Sequence, residues 1–485
     1  MTTSVFVANM AWVFLFANWV AEWNWRERFA GFRHNRLLHA VLILAAVHLL
    51  WLIGTQDMAY ALNDIRKKLP LIAIPLVILT SKPLDSKERL NVGLAYTAAV
   101  LTVSVIGFVR YLTIPDLPYR DIVPYISHIR FGLNVCMTLA LLAYTALRHR
   151  QPWLYGLNLA LSLWLLFFLF LLHAYTSFVI LIATPVILFF CYRRRLERRT
   201  RAIAAAIIVF AAAAIIGTSC YYCLDYYRLR PLSIQEQPAC TANGNPYLHR
   251  NDGLVENGNY IHNYVCEQEM RQEWAKLSSY PFDSVTPVGY TIYPALLRYL
   301  NGLGVTKDSL GMTRLTPCDI AAIEKGIANP VYQQPGLRKM FYVLCYEYEN
   351  YRCYRSISNF SMLQRFDLWR AGWQVFLRHP LLGVGTGDVP DELHHELHRA
   401  GSPLADTQLH THNQYLNFLI AFGIIGFGII AYFILRALRP QFTAHSSQLF
   451  AAFLCILLIS FISEDTLETL AGITFAAMGT TLIKN

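Results

Sequence analysis

The sequence predicts an all-α polytopic membrane protein of about eleven transmembrane helices. A large, mainly helical extracytoplasmic loop domain is expected between spans eight and nine. Three observations predict this class. The 485 residues are 55% hydrophobic and 15% charged, too apolar for an ordinary soluble protein. Runs of about 18 or more apolar residues recur, the length a helix needs to cross roughly 30 Å of hydrocarbon. One long polar stretch, 221–411, interrupts them and is large enough to bury a core of its own.

In order, the predicted spans are 3–21, 37–54, 69–81, 90–111, 129–147, 152–172, 175–192, 202–220, 413–436, 447–462 and 469–483. The first, Val5 to Val20, has no basic residue before it and no small-residue cleavage site after it, so it reads as a retained span. The chain therefore divides into a transmembrane bundle over 1–220, a loop domain over 221–411 and a closing bundle over 412–485. Within the loop domain, Cys266 to Leu277, Ala295 to Asn301 and Ser361 to Leu377 read as helices, separated by turn residues.

Orientation follows from Lys and Arg in short loops. Arg26, Arg28, Arg33 and Arg36 follow the first span; Lys82, Lys87 and Arg89 the third; Arg148 and Arg150 the fifth. Arg193, Arg194, Arg195, Arg198, Arg199 and Arg201 follow the seventh, and Arg436 and Arg439 the ninth. Every second connection is then cytoplasmic, with the N-terminus outside and the C-terminus inside. Arg66, Lys67 and Lys68, read as lying in an outer loop, break the rule mildly. The net charge of +10 sits on cytoplasmic loops, against anionic lipid, and calls for no nucleic-acid partner. Of ten cysteines, Cys223, Cys240, Cys266, Cys318, Cys345 and Cys353 fall in the outer loop, where up to three disulfides are expected.

Chemistry-bearing residues gather where the ninth span begins. His412 stands at a helix N-terminus, whose partial positive charge favours a neutral imidazole, as a general base requires. Free amides there favour phosphate. Asn413 and Tyr415 are candidates for orienting a substrate. The alternative is an interfacial histidine without chemistry. Arg365 and Arg370 offer guanidinium forks for phosphate oxygens; the alternative is a solvated helix face over a Trp369–Trp373 core. Arg130 lies at the outer end of a span, where an ionisable side chain is either functional or snorkelling. Gly383, Gly385 and Gly387 read as a turn that redirects the chain, since no βαβ context supports a nucleotide loop. His394, His398, His410 and His412 with Glu392 and Glu396 are a weaker metal reading, because the HExxH pattern is missing. Glu464, Asp465 and Glu468 read as a solvated turn, with acceptor-sugar binding as the alternative.

At these residues the chain resembles the O-antigen ligase and polymerase family. The resemblance covers spans four to eleven. It rests on Gln364-Arg365 with Leu368-Trp369, the Pro380-to-Asp388 turn, His412-Asn413-Gln414-Tyr415-Leu416 and Gly423-Ile424-Ile425-Gly426. Glu256-Asn257-Gly258 and Arg298-Tyr299-Leu300 look like a long-loop subgroup of that family. The resemblance implies an essential outer-face base at His412, a donor-diphosphate arginine at Arg365 and a basic position at Arg130. The family often carries an Arg near the outer start of the seventh span. This chain has His173-Ala174-Tyr175 there, so Arg130, His173 or Arg370 substitutes, or the donor is held differently.

The expected function is a metal-independent, inverting, ligase-type glycosyltransferase in the bacterial inner membrane, its site facing the periplasm. The expected donor is a glycan on undecaprenyl diphosphate, and the acceptor is a hydroxyl of lipid A–core. His412, Arg365 and Arg130 are the expected catalytic residues. Arg370, Asn413, Tyr415, His410 and His173 are expected to bind substrate. No cofactor is expected, and membrane lipid is the surrounding partner. O-antigen polymerase and protein O-oligosaccharyltransferase share this chemistry with other acceptors. A lipid-linked glycan flippase is the non-enzyme alternative, which would show paired discontinuous helices and mid-membrane charges.

Overall fold

The computed structural model describes residues 3–482 except 23–27, 29–31, 33, 34, 116, 149, 150, 231, 233–236, 252, 288, 290, 335, 355–360, 408 and 444–447. Arg26, Arg33, Arg150 and the Arg439 side chain, among the expected loop cations, lie outside the described residues, as does residue 483 of the last predicted span. In chain order the helices are α1 (Val5–Ala21), α2 (Arg36–Leu50), α3 (Met58–Thr80), α4 (Ser86–Thr113), α5 (His128–Arg148) and α6 (Pro152–Leu171). There follow α7 (Tyr175–Tyr192), α8 (Arg198–Tyr227), α9 (Glu267–Leu277), α10 (Ile292–Leu303), α11 (Ser309–Met312) and α12 (Pro317–Glu324). The chain closes with α13 (Leu337–Tyr354), α14 (Ser361–Arg378), α15 (Val389–Arg399), α16 (Gln414–Thr443), α17 (Gln448–Ser463) and α18 (Leu470–Leu482).

Among the described residues, α4 to α8 and the 414–438 part of α16 are six helices long and apolar enough to cross a membrane. Shorter apolar helices are α1, α2, α17 and α18. Helix α3 corrects one reading. Arg66, Lys67 and Lys68 do not form an outer loop; they lie inside α3. Lys68 is buried and ion-paired to Asp64 and Glu468, so its charge is balanced inside the protein instead of marking a loop.

The chain forms two compact units, Met1–Arg201 with Arg365–Asn485, and Ala202–Gln364. These boundaries differ from the expected ones at 220/221 and 411/412. Residues 365–411 belong with the helical bundle because their backbone is bonded into it. In this bundle α18 packs on α3, α16 on α2, and α17 on α5 and α7. Helix α16 is broken at Gly423 (φ 61°, ψ −169°). The Gly383–Gly387 turn fills the break. Val384 and Gly385 N–H donate to the carbonyls of Ile420 and Ala421 at 2.9 Å each, while Ile424 and Ile425 N–H donate to those of Pro380 and Leu381. Four backbone groups freed by the break thereby find partners, as broken helices in membranes require. Asp388 ends the turn and accepts from the Gln56 and Asp57 amides at the start of α3.

The second unit is built on Trp274, Leu296, Tyr299 and Leu300, all fully buried. A hairpin, β1 (Val255–Glu256) with β2 (Asn259–Tyr260), turns at Asn257-Gly258, both at positive φ, as a tight hairpin requires. Glu256 is fully buried and pairs with Arg298, accepting from its Nε at 3.0 Å; Asn329 Nδ2 donates to it at 2.7 Å, and the Tyr342 hydroxyl also donates. None of the three expected disulfides is formed in this structure. All ten cysteines are free. Cys223 in α8 and Cys345 in α13 do approach, with sulfurs 3.8 Å apart.

Candidate active site

The site grows from the short connection between α17 and α18, where Glu464 and Asp465 precede a single 3-10 turn, Thr466–Glu468. The reading of these acids as a solvated turn is overturned: Glu464 is 3% exposed and Asp465 6%. Their partners are cations far away in sequence, which local spacing does not reveal. Arg130, in the first turn of α5, donates to Glu464 Oε2 at 3.3 Å, to Asp465 Oδ1 at 3.1 Å, to the Asp465 carbonyl at 3.2 Å and to Thr469 Oγ1 at 3.1 Å. Arg365, in α14, donates to Glu464 Oε1 at 2.8 Å. One carboxylate thus bridges two guanidiniums. Arg365 Nε is buried without a hydrogen-bond partner among the described residues.

His412 faces the same turn, its Nδ1 3.9 Å from Asp465 Oδ1, beyond hydrogen-bonding distance. Nδ1 also lacks a hydrogen-bond partner among the described residues. The backbone at His412 is left-handed (φ 49°), two residues before α16 starts. Trp369 holds the loop in place: its Nε1 donates to the Thr411 carbonyl at 2.9 Å. Burial pulls the imidazole below its ordinary value; Asp465 opposes this, and the Arg365, His410 and Arg130 charges reinforce it. Burial raises the Glu464 carboxyl, against the pull of Arg130 and Arg365. Burial would also raise Glu468, but the Lys68 ammonium and the Gln414 amide outweigh it and hold the carboxyl below its usual range.

The other expected site residues are placed as follows. Asn413 Oδ1 accepts from Leu416 N–H at 3.0 Å, capping α16. Tyr415 lies against Phe461, and its hydroxyl donates to the Leu458 carbonyl at 2.9 Å. His410 is half-buried near His412. Arg370 is exposed, about 140° round α14 from Arg365. His173, also left-handed (φ 51°), stacks on Tyr119 with ring centres 5.0 Å apart. Arg130, Arg365 and His412 therefore converge, whereas Arg370 and Tyr415 are directed elsewhere. From the sequence, Glu464, Asp465 and Glu468 read as a solvated turn, with acceptor-sugar binding as the alternative, and Lys68 reads as an outer-loop cation; nothing local joins them to Arg130 and Arg365. The available signal was the set of acids crowded between two apolar helices, where an ionisable group needs a partner.

As for metal, His412, Glu464 and Asp465 offer ligand atoms within 4.8 Å of one another. Both carboxylates are already engaged by Arg130 and Arg365, and a divalent cation would have to compete with two guanidiniums. In the weaker cluster, Glu396 is engaged by Arg378 and Arg399.

Residues 340–431 match the family model described as O-antigen ligase. The match supports the O-antigen ligase family. It spans Arg365, the glycine turn, His412 and the Gly423 break; Arg130 and the Glu464–Glu468 turn lie outside it. No curated protein matched. With the apolar helices, the match indicates a multi-pass membrane protein and an O-antigen ligase or polymerase type of membrane glycosyltransferase.

Proposed function

We propose that the protein transfers a glycan from undecaprenyl diphosphate to a hydroxyl of lipid A–core, at the periplasmic face of the inner membrane, with inversion and without metal. The observation that carries this reading is the convergence of His412 and Arg365 on the Glu464–Asp465 turn, each with a buried nitrogen still able to hydrogen-bond. His412, neutral near pH 7, takes the proton of the acceptor hydroxyl. The oxygen attacks the anomeric carbon as the bond from that carbon to phosphate breaks. The electron pair leaves on the lipid diphosphate, and Arg365 stabilises the growing charge. Asp465 favours the imidazolium that forms. Arg130, with four of its five N–H donors engaged by Glu464, Asp465 and Thr469, holds both acids in register and adds positive potential. The two arginines offset the two acids, which supports a site that works without a divalent ion.

One observation favours the flippase reading, namely the broken helix α16. In transporters the ends of such a break face the substrate. Here they bond to Pro380, Leu381, Val384 and Gly385, so the break is closed by backbone and the enzyme is the better reading. The test is the surface glycolipid profile of a deletion strain. Loss of all capped core is expected. Core bearing a single repeat would point to a polymerase. Capped core at wild-type levels would overturn the ligase reading.

A further inference from the structure

A second set of buried charges lies beside the site. Lys68 Nζ donates to Asp64 Oδ2 at 2.6 Å and to Glu468 Oε2 at 2.8 Å. The other Glu468 oxygen, Oε1, accepts from Gln414 Nε2 at 3.0 Å and from Asn417 Nδ2 at 2.8 Å. Gln414 returns a bond, its Oε1 accepting from Leu467 N–H at 2.8 Å. Lys68 is 8% exposed and Gln414 fully buried. A chain of short contacts therefore runs from α3, through one carboxylate, to the first turn of α16, two residues after His412. Buried ionisable groups in apolar helices are costly to keep, which marks them for function.

We propose that Lys68 and Glu468 are positioning residues for His412. The 464–468 turn has two ends. One carries Glu464 and Asp465, which hold Arg365 and Arg130 and face His412. The other carries Glu468, which grips α16 through Gln414 and Asn417. Because one turn holds both the base and the cations, anchoring it to Lys68 sets the spacing between them. Without the ammonium, Glu468 loses the 2.8 Å contact with Lys68 Nζ that ties the turn to α3. The turn and the start of α16 then shift together. Neither Lys68 nor Glu468 touches substrate; they act by keeping His412 where the acceptor proton arrives. A displacement of about 1 Å in such an arrangement costs up to about 100-fold in rate.

The inference rests on the glycan-transfer reading, and two arms keep them separable. In the first, purified protein in detergent is given an undecaprenyl-diphosphate-linked glycan and lipid A–core. Lys68→Met is expected to lower kcat by up to about 100-fold, with the donor KM changed little. In the second, needing no substrate, diethyl pyrocarbonate labelling is followed by peptide mass spectrometry. The rate at His412 is expected to rise several-fold in Lys68→Met, with the rate at His249 as an internal control. Wild-type protein that transfers nothing would count against the function, and the labelling arm would still test the positioning. A folded Lys68→Met with wild-type kcat and wild-type His412 labelling overturns the positioning. If Lys68→Met fails to accumulate, Gln414→Ala and Asn417→Ala decide. They cut the same tether without unpairing a charge, and unchanged kcat and labelling in both overturns the inference equally.

Discussion

His412 is held in a left-handed backbone conformation, which alanine tolerates poorly and asparagine well. His412→Asn is therefore the cleaner test of the base, because it keeps the loop shape while removing the imidazole. Both His412→Asn and His412→Ala are expected to abolish transfer with protein still in the membrane. Arg365→Ala is expected to cost about 10²–10³-fold, the usual loss on removing an electrostatic contact to a developing charge. Arg365→Lys should stay impaired, because an ammonium lacks the fork. His410→Ala should be milder, and a dead His410→Ala beside an active His412→Asn would reassign the base. The pH profile carries a sign. A base is lost as pH falls through its own pKa, and that of His412 lies below its ordinary 6.5, so the acid limb of kcat/KM should fall below 6.5. Asp465 opposes the lowering, so Asp465→Asn should move the limb to still lower pH. A limb that stays in place, or moves up, would remove Asp465 from this role.

At the scale of elements, the break in α16 and the glycine turn form one clasp. A Cβ on Gly423 would lie 2.3 Å from the Leu381 carbonyl oxygen, and one on Gly383 would lie 2.5 Å from that of Ala421. Both residues also sit at positive φ. Gly423→Ala and Gly383→Ala should each destabilise by about 1–3 kcal/mol from backbone strain alone, with more from the clash. Because they contact one another's segments, the double variant should cost less than the sum. Thermal unfolding of the detergent-purified protein measures this; wild-type melting temperatures in both variants would show that the clasp is loose. The glycine turn was legible in the sequence as a turn. Its partner was not, because Gly423 sits in what reads as unbroken apolar helix.

For the whole molecule, the alternation of basic loops predicts that 221–411 lies outside the cytoplasm. Alkaline phosphatase fused near Gly311 should then be active, and a fusion active only as a cytoplasmic reporter would reverse the topology. The same compartment bears on Cys223 and Cys345. Six loop cysteines allow 15 full connectivities, and the 3.8 Å approach selects this pair. A thiol–disulfide oxidant would take two electrons, with loss of two protons, to join them. Non-reducing peptide mass spectrometry should find the 223–345 link; both thiols alkylated without reductant would show the pair reduced.

The helical class, the membrane character and most helix positions were written in local pattern. Apolar runs set where α4 to α7 and α17 lie to within a few residues, and burial of a span depends on its own composition. The motif pieces Glu256-Asn257-Gly258 and Arg298-Tyr299-Leu300 were also visible, the second inside a stretch that reads as helix. That Glu256 and Arg298 form one buried ion pair appeared only in the folded unit. The same holds at the site. Arg130 and His412 stood out singly at span ends, and Arg365 as a cation on a loop-domain helix. The acids that gather them, Glu464, Asp465 and Glu468, looked like surface, because a carboxylate in a short turn is solvated unless the fold brings a cation to it. Arg130, Arg365 and Lys68 come from helices far apart in the chain, and no periodicity encodes their meeting. Local sequence determined which side chains stand at the ends of helices; tertiary packing decided which opposite charges share a buried place, because the cost of desolvating an ion is repaid only by a partner in reach.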